Sequence, residues 1–400
     1  MKTLYYKLRA FLVTWLLRLL PRNAPVVYKG PGSALTLCEQ LTILGHRKAL
    51  IVTDGFLGGS GILDGIKTTL NETDIEFFVF DGVLPDPAFD QVQAGEKLLR
   101  ENGCDAVIAV GGGSVLDAAK MMAMLHTNPG ELDDFNGIQP CKKPGVPLFA
   151  IPTTAGTGSE ITLAAIISDS ITHRKVPVVD SKMIPSYVAL DADIMKGMPP
   201  GITAATGMDA LTHAVESYLS KASTESSEFH AKAAVRLIFN NLPRAFNNGD
   251  DMEARDAMAM ASFYAGAAFG KTSVGYVHGI AHQLGRVCHT PHGNANAMVL
   301  PEVLTAYGSC VYPRLADLAR LVGITAEGDN AAQLALKFID AIIEIRRELE
   351  LPLKPRDLKA SDIADIVDEA IAEAGALYPV PRYMSATEIT GIAKGLLEEA

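Results

Sequence analysis

Up to Met198 the chain alternates short, β-branched apolar runs with stretches of helical spacing, and beyond it the strand-like runs stop. Residues 48–53, 75–80, 106–110 and 147–151 read as buried strands, and helical periodicity fills 62–70 and 89–102. Strand, helix, strand in succession requires parallel pairing, with right-handed crossovers that lay each helix on the sheet. The second run ends at the turn pair Asp81-Gly82, and residues 161–168 and 176–179 read as a further hairpin. At Met198-Pro199-Pro200-Gly201 the character changes. Helical spacing then runs through 229–246, 254–269, 295–307, 334–349, 363–374 and 387–397, with Pro243, Pro313, Gly323, Pro352 and Pro379 as breakers. The expected architecture is an α/β N-terminal domain with a parallel sheet (25–198), followed by an all-α C-terminal domain (199–400). A cleft between two such domains is a natural ligand site.

At 400 residues, 48% of them hydrophobic, the chain can bury two cores. Its net charge of -11 excludes nucleic acid as a partner, because phosphate binding needs a basic surface. Cys38, Cys104, Cys141, Cys288 and Cys310 are odd in number and form no Cys-x-x-Cys pair, so they read as reduced thiols of a cytoplasmic protein. Residues 1–24 stand apart as an apolar helix with Lys2, Lys7, Arg9, Arg18 and Arg22 interspersed. Arg18 interrupts the apolar centre a signal peptide would need, and the stretch is too short and too charged to span a bilayer. Two readings stay open. Residues 1–22 lie on a membrane face and snorkel their basic side chains, or they pack on the protein or on another subunit.

Gly111-Gly112-Gly113-Ser114 follows directly on the 106–110 strand and opens a helix over 115–125. Glycines there let main-chain N–H groups approach an anion, and the helix N-terminus adds positive partial charge. A plain packing turn has the same pattern, and the Gly-x-Gly-x-x-Gly spacing of an ordinary dinucleotide fold is missing. Asp117 and Lys120 in that helix read as first-turn charge and an exposed cation. Asp54, just after the first strand-like run, suits hydrogen bonds to an adenosine ribose and would repel a 2′-phosphate, favouring NAD over NADP. The alternative is a turn aspartate bonded to its own backbone. Thr153, Thr154 and Thr157 belong to a second Gly/Thr-rich loop, residues 151–160, suited to a ribose and a diphosphate.

Asp209 and His213 stand one helical turn apart within Gly-Met-Asp-Ala-Leu-Thr-His, so both side chains share one face. His278 opens His-Gly-Ile-Ala-His, and His292 sits in Thr-Pro-His-Gly. Any one of these histidines alone reads as a hydrogen-bonded core residue. Three neutral imidazoles and one carboxylate together suit a single catalytic Fe²⁺ or Zn²⁺. Cys288 and His289, between two of these positions, read as wall packing and a surface residue.

Taken together, these motifs resemble the iron-containing (group III) alcohol dehydrogenases, the family of lactaldehyde/propanediol oxidoreductase. The resemblance runs from about residue 26 to the C-terminus and rests on long motifs: 111–120, 151–160, 207–213, 277–285 and 291–293. It implies NAD as cofactor and Fe²⁺ as metal, with Zn²⁺ as the alternative. It makes Asp209, His213, His278 and His292 the ligands, places Lys175 near the cofactor, and leaves His282 as a nearby non-ligand histidine. Hydride would pass between a primary alcohol, or its aldehyde, and NAD(H), the metal acting as Lewis acid on the substrate oxygen. His282 would relay the proton to solvent or orient a ligand, and Phe269 would line the pocket. Family members assemble as homodimers or larger homo-oligomers. There are departures: Ala164 and Asp86 each replace an Asn, Lys271 replaces another, and the first 22 residues lack a counterpart in the short members. Ala164 makes the expected pocket more apolar. The rivals are a glycerol-dehydrogenase-like zinc enzyme, a dehydroquinate-synthase-like lyase using NAD transiently, and a non-catalytic membrane-associated protein.

Overall fold

The structure is a computed structural model that describes residues 24–172 and 174–397. The N-terminal helix expected over 1–24, and any membrane contact through it, lie outside the described residues. Within them, no helix is long and apolar enough to cross a membrane. The chain divides between Met198 and Pro199 into two compact units.

The first unit is built on a six-stranded sheet. In chain order its strands are β1 (Val26–Lys29), β2 (Lys48–Asp54), β3 (Glu76–Val83), β4 (Ala106–Gly111), β6 (Leu148–Pro152) and β9 (Tyr187–Leu190). The spatial order is β1-β9-β6-β4-β2-β3, every pair parallel. Between them run α1 (Ser33–Ile43), α2 (Gly55–Gly59), α3 (Asp64–Glu72), α4 (Phe89–Glu101), α5 (Gly113–Thr127) and α6 (Ala192–Met195). β4 is buried along its whole length, which is why it reads as a continuous apolar run and not as an alternating one. One face of the sheet, with Ile51, Ile108, Phe149 and Ile151, packs against Leu37 and Leu41 of α1 and Ile66 and Leu70 of α3. A small second sheet pairs β7 (Ala164–Ser168) antiparallel with β8 (Lys175–Val179), the expected hairpin, and adds β5 (Gly137–Ile138).

Some boundaries differ from the sequence expectation. β3 does not stop at Asp81-Gly82 but continues to Val83, carried past the turn signal by pairing with Asp54 after a register shift in β2. β1 and β9 are each four residues long, too short for periodicity to register.

The second unit is helical: α7 (Pro200–Leu219), α8 (Glu225–Asn247), α9 (Met252–Thr272), α10 (Tyr276–Cys288), α11 (His292–Tyr307), α12 (Tyr312–Leu321), α13 (Ala331–Glu348), α14 (Ile363–Leu377) and α15 (Ala386–Gly395). Pro243 does not break a helix; it sits inside α8, in the turn before its C-terminus, and its missing N–H removes one backbone bond. Pro313 opens α12 at a first-turn position, where an N–H has no intrahelical partner anyway. α7 is the central element, flanked by α8, α9 and α11, and every residue from Gly207 to Leu219 is buried. A helix buried all round must satisfy each polar side chain internally. Thr212 does so by donating to the Met208 carbonyl and Ser217 by accepting from Thr272. Asp209, His213 and Glu216 remain, and they share one face.

Candidate functional site

Three helices of the second unit each carry a polar pair one turn apart. α7 brings Asp209 and His213, α10 brings His278 and His282, and α11 brings His292 and Asn296. The spacing aligns each pair on a single helix face. Close approach of α11 to α7 depends on Gly293, because a Cβ there would lie 2.1 Å from the Ala205 carbonyl oxygen. Packing then gathers one ligand atom each from Asp209, His213, His278 and His292 within 4.8 Å of one another. From Asp209 Oδ1 the imidazole Nε2 atoms lie at 3.9 Å (His213), 3.7 Å (His278) and 3.3 Å (His292). Donors about 2.1 Å from a shared ion in tetrahedral array stand about 3.4 Å apart, so the cluster is the right size for a first-row cation. Asp209, His213 and His278 are buried, whereas the His292 side chain is 43% exposed, leaving one side of the cluster open.

The electrostatics also fit a cation. Burial pushes the Asp209 carboxyl up, but the surrounding imidazoles outweigh it and hold the group well below the usual carboxylate range. Burial lowers His278, but hydrogen bonds and charge from Asp209 and Glu216 prevail and raise it to about 9. Burial lowers His292 despite the nearby Asp209, so the attraction for positive charge centres on Asp209 and Glu216.

Glu216 joins this cluster, and the sequence reading gave it no role. Its carboxylate accepts from Gly275 N (2.9 Å) and Val277 N (2.8 Å) and lies 2.6 Å from His278 Nδ1. It thus caps the first turn of α10, where negative charge is favoured, and fixes the His278 ring with Nε2 toward the other ligands. A Cβ on Gly275 would lie 2.6 Å from this carboxylate, so glycine keeps the cap in place. His282 is anchored in the same way. Its Nδ1 is 2.6 Å from Glu373 Oε1 on α14, and Glu373 also accepts from the Tyr378 hydroxyl and the Gln283 amide. The His282 ring stacks on His292 and is 40% exposed. Phe269 stacks on His213 at 4.1 Å between ring centroids. Cys288 is half-buried, and His289 is the exposed left-handed cap of α10.

In the first unit, the carboxyl ends of β2, β4 and β6 are neighbours in the sheet. They carry Asp54, Gly111–Gly113 and Thr153 onward, so the three predicted loops meet along one edge. Strand order reverses between β2 and β4, the topological switch point where open α/β sheets bind ligands. Gly112 caps α5, with Gly113 and Ser114 in its first turn, N–H groups facing outward from the helix end. A Cβ on Gly113 would lie 2.7 Å from Thr157 Cγ2, so the two glycine-rich loops touch through that position. The Thr153 N–H donates to the Gly111 carbonyl. Asp54 Oδ1 caps α2 by accepting from Leu57 N at 2.9 Å, the turn bond named above as its alternative. Lys175 Nζ lies 2.7 Å from Asp86 Oδ1, so the acidic replacement at position 86 pairs with the lysine expected near the cofactor.

Lys120 is not an exposed cation. Its ammonium is buried and donates to Ser159 Oγ (2.8 Å), Thr162 Oγ1 (3.1 Å) and the Ala164 carbonyl (2.8 Å), using all three of its protons. Asp117 accepts from Ser159 Oγ at 2.6 Å and from Ile166 N at 2.9 Å. Together they clamp the second loop to α5.

Comparison with known proteins agrees over nearly the whole chain. The model described as "Iron-containing alcohol dehydrogenase" matches residues 24–192, and "Fe-containing alcohol dehydrogenase family, C-terminal" matches 203–397. The chain belongs to the iron-containing alcohol dehydrogenase family. It is 36% identical to the NAD-dependent methanol dehydrogenase of Bacillus methanolicus, covering 93% of this chain and 98% of that one. The solved structure of a 1,3-propanediol oxidoreductase superimposes with a TM-score of 0.91 at 37% identity, covering 95% and 100% of the two chains. Sulfoacetaldehyde reductase from Bifidobacterium kashiwanohense, solved in complex with NAD+, gives 0.84 at 28% identity, covering 94% and 98%.

Proposed function

We propose that the protein is an NAD-dependent, iron-containing dehydrogenase that interconverts a primary alcohol and its aldehyde. Residues 25–198 serve as the nucleotide domain and 199–400 as the metal domain. The observation that carries this reading is the cluster of Asp209, His213, His278 and His292, in a chain that also holds two glycine-rich loops at the neighbouring carboxyl ends of β4 and β6. Those four side chains would hold Fe²⁺, and Gly111, Gly112, Gly113, Ser114, Thr153, Thr154 and Thr157 would hold the diphosphate and ribose of NAD. Asp54, with Oδ1 already capping α2, would meet the adenosine ribose, and Lys175 would lie near the cofactor. When bound, the ion supplies Lewis acidity that lowers the pKa of the alcohol oxygen, and the nicotinamide supplies a hydride acceptor.

The chain's own residues do the rest. Asp209 and Glu216 set two negative charges against a divalent cation, so the site closes without an uncompensated buried charge. Glu373 holds His282 by Nδ1, which leaves Nε2 to take the alcohol proton and pass it to the solvent that reaches this exposed ring. The proton released on oxidation thus leaves through His282. The family resemblance further suggests a cytoplasmic homo-oligomer.

The test is an anaerobic reconstitution with Fe²⁺ followed by an NADH-coupled screen of primary alcohols of graded chain length. Net accumulation of NADH with at least one alcohol is expected. NAD bound without net reduction in any reaction would overturn the dehydrogenase reading and favour a lyase that uses NAD transiently.

A further inference from the structure

Of the three helical pairs that meet at the metal cluster, five members are accounted for by the ligands and His282. The sixth is Asn296, one turn after His292 on α11 and wholly buried. Its Nδ2 lies 2.7 Å from Asp209 Oδ1, 3.3 Å from His278 Nε2 and 3.2 Å from His292 Nε2. One amide nitrogen therefore touches ligand atoms from three different helices. Its Oδ1 is buried with no partner among the described residues, an expensive arrangement for an amide placed only to fill space.

We propose that Asn296 is a positioning residue of the metal centre, whose side-chain N–H holds the Asp209 carboxylate in the ligand set; this rests on the metal reading above. The bond to Asp209 is the shortest of the three and is charge-assisted, so it is the one that endures when the imidazoles are engaged elsewhere. An amide nitrogen can donate but offers no lone pair for a cation. Asn296 can therefore orient the carboxylate oxygen without competing for the ion or adding charge to the cluster. A carboxylate free to rotate would have to be ordered at the moment of binding, and that loss would appear as weaker affinity.

The experiment measures metal dissociation constants by chelator competition, with Fe²⁺ and with Zn²⁺, for the parent protein, Asn296→Ala and Asn296→Leu. The leucine matches the amide in shape, so it covers the case in which the alanine variant fails to fold. Far-UV circular dichroism and the urea unfolding midpoint report that the helical unit of each variant is folded, and NAD affinity reports the other unit. Asn296 variants folded by these measures are expected to bind both metals about 10- to 100-fold more weakly, the range typical of outer-shell partners. A folded variant whose metal affinity stays within about twofold of the parent's, well short of that range, would overturn the assignment. If the parent itself binds no metal, the reading of the cluster fails instead, and the two failures are told apart in one titration series.

Discussion

The two units build their sites from different materials. In the helical unit everything is done by side chains: one carboxylate and three imidazoles projected from α7, α10 and α11, with Glu216 and Asn296 behind them. In the sheet unit the groups offered are mostly backbone, presented by glycines at the ends of β4 and β6 and kept in place by a buried lysine. A side-chain site is specified residue by residue and fails residue by residue. A backbone site tolerates most exchanges and fails only where the chain's path is disturbed.

This contrast can be broken in order of expected effect. His278→Ala is expected to abolish metal binding and turnover together while NAD titrations remain parental. Losing several kcal/mol of Lewis-acid stabilisation corresponds to at least about 10³-fold in rate. Metal analysis beside an NADH assay checks it, and a fully active His278→Ala protein would refute the ligand assignment. Lys120→Met should act on the other unit, leaving the half-buried Asp117, 3.8 Å from the ammonium, and the buried Glu160 without the positive charge that favours both carboxylates. A loss of about 3 kcal/mol is expected in urea unfolding, with NAD affinity lowered and metal content unchanged. The sign with pH follows from burial, which lowers Lys120 from 10.5 to about 8. The unfolded chain then holds the extra proton between about 8 and 10.5, so this lysine's contribution grows as pH rises through that window. The gap between parent and variant should widen accordingly.

Gly113→Ala sharpens the comparison further, since it adds only a methyl group. The methyl meets Thr157 at 2.7 Å. Overpacking of about 1–3 kcal/mol, spent on the second loop, should weaken NAD by about 5- to 100-fold and leave the metal titration unmoved. Glu373→Gln has the smallest expected effect. It keeps the shape but weakens the hold on His282, so kcat should fall on the order of tenfold with metal and NAD affinities parental. Parental kcat across the pH range would remove Glu373 from the proton path.

How much of this was legible in the sequence follows the same division. The cluster of Asp209, His213, His278 and His292 could be read because Asp209 and His213 share a helix face and the histidine motifs are rare patterns. Asn296 has the same one-turn spacing from His292, but an asparagine among alanines carries no chemical signal by itself. Glu216 lies two turns after Asp209, legible as a face-sharing carboxylate only once α7 is known to be buried throughout. Glu373 reaches His282 because α14 packs on α10, a contact across 91 residues that no local pattern announces. Lys120 misled for a general reason: lysines are almost never buried unless fully partnered, and its partners lie on a loop some forty residues away. The parallel sheet was evident from the central strands, buried on both faces, and not from the four-residue strands β1 and β9.

The claim beneath all of this is that one divalent ion sits among Asp209, His213, His278 and His292. Metal content after anaerobic reconstitution, measured in parallel on the parent and on His278→Ala, tests it most directly. One equivalent per parent chain, lost in the variant while NAD still binds, is the expected result. A metal-free parent that still turns over, or a variant that keeps its full equivalent, would contradict it.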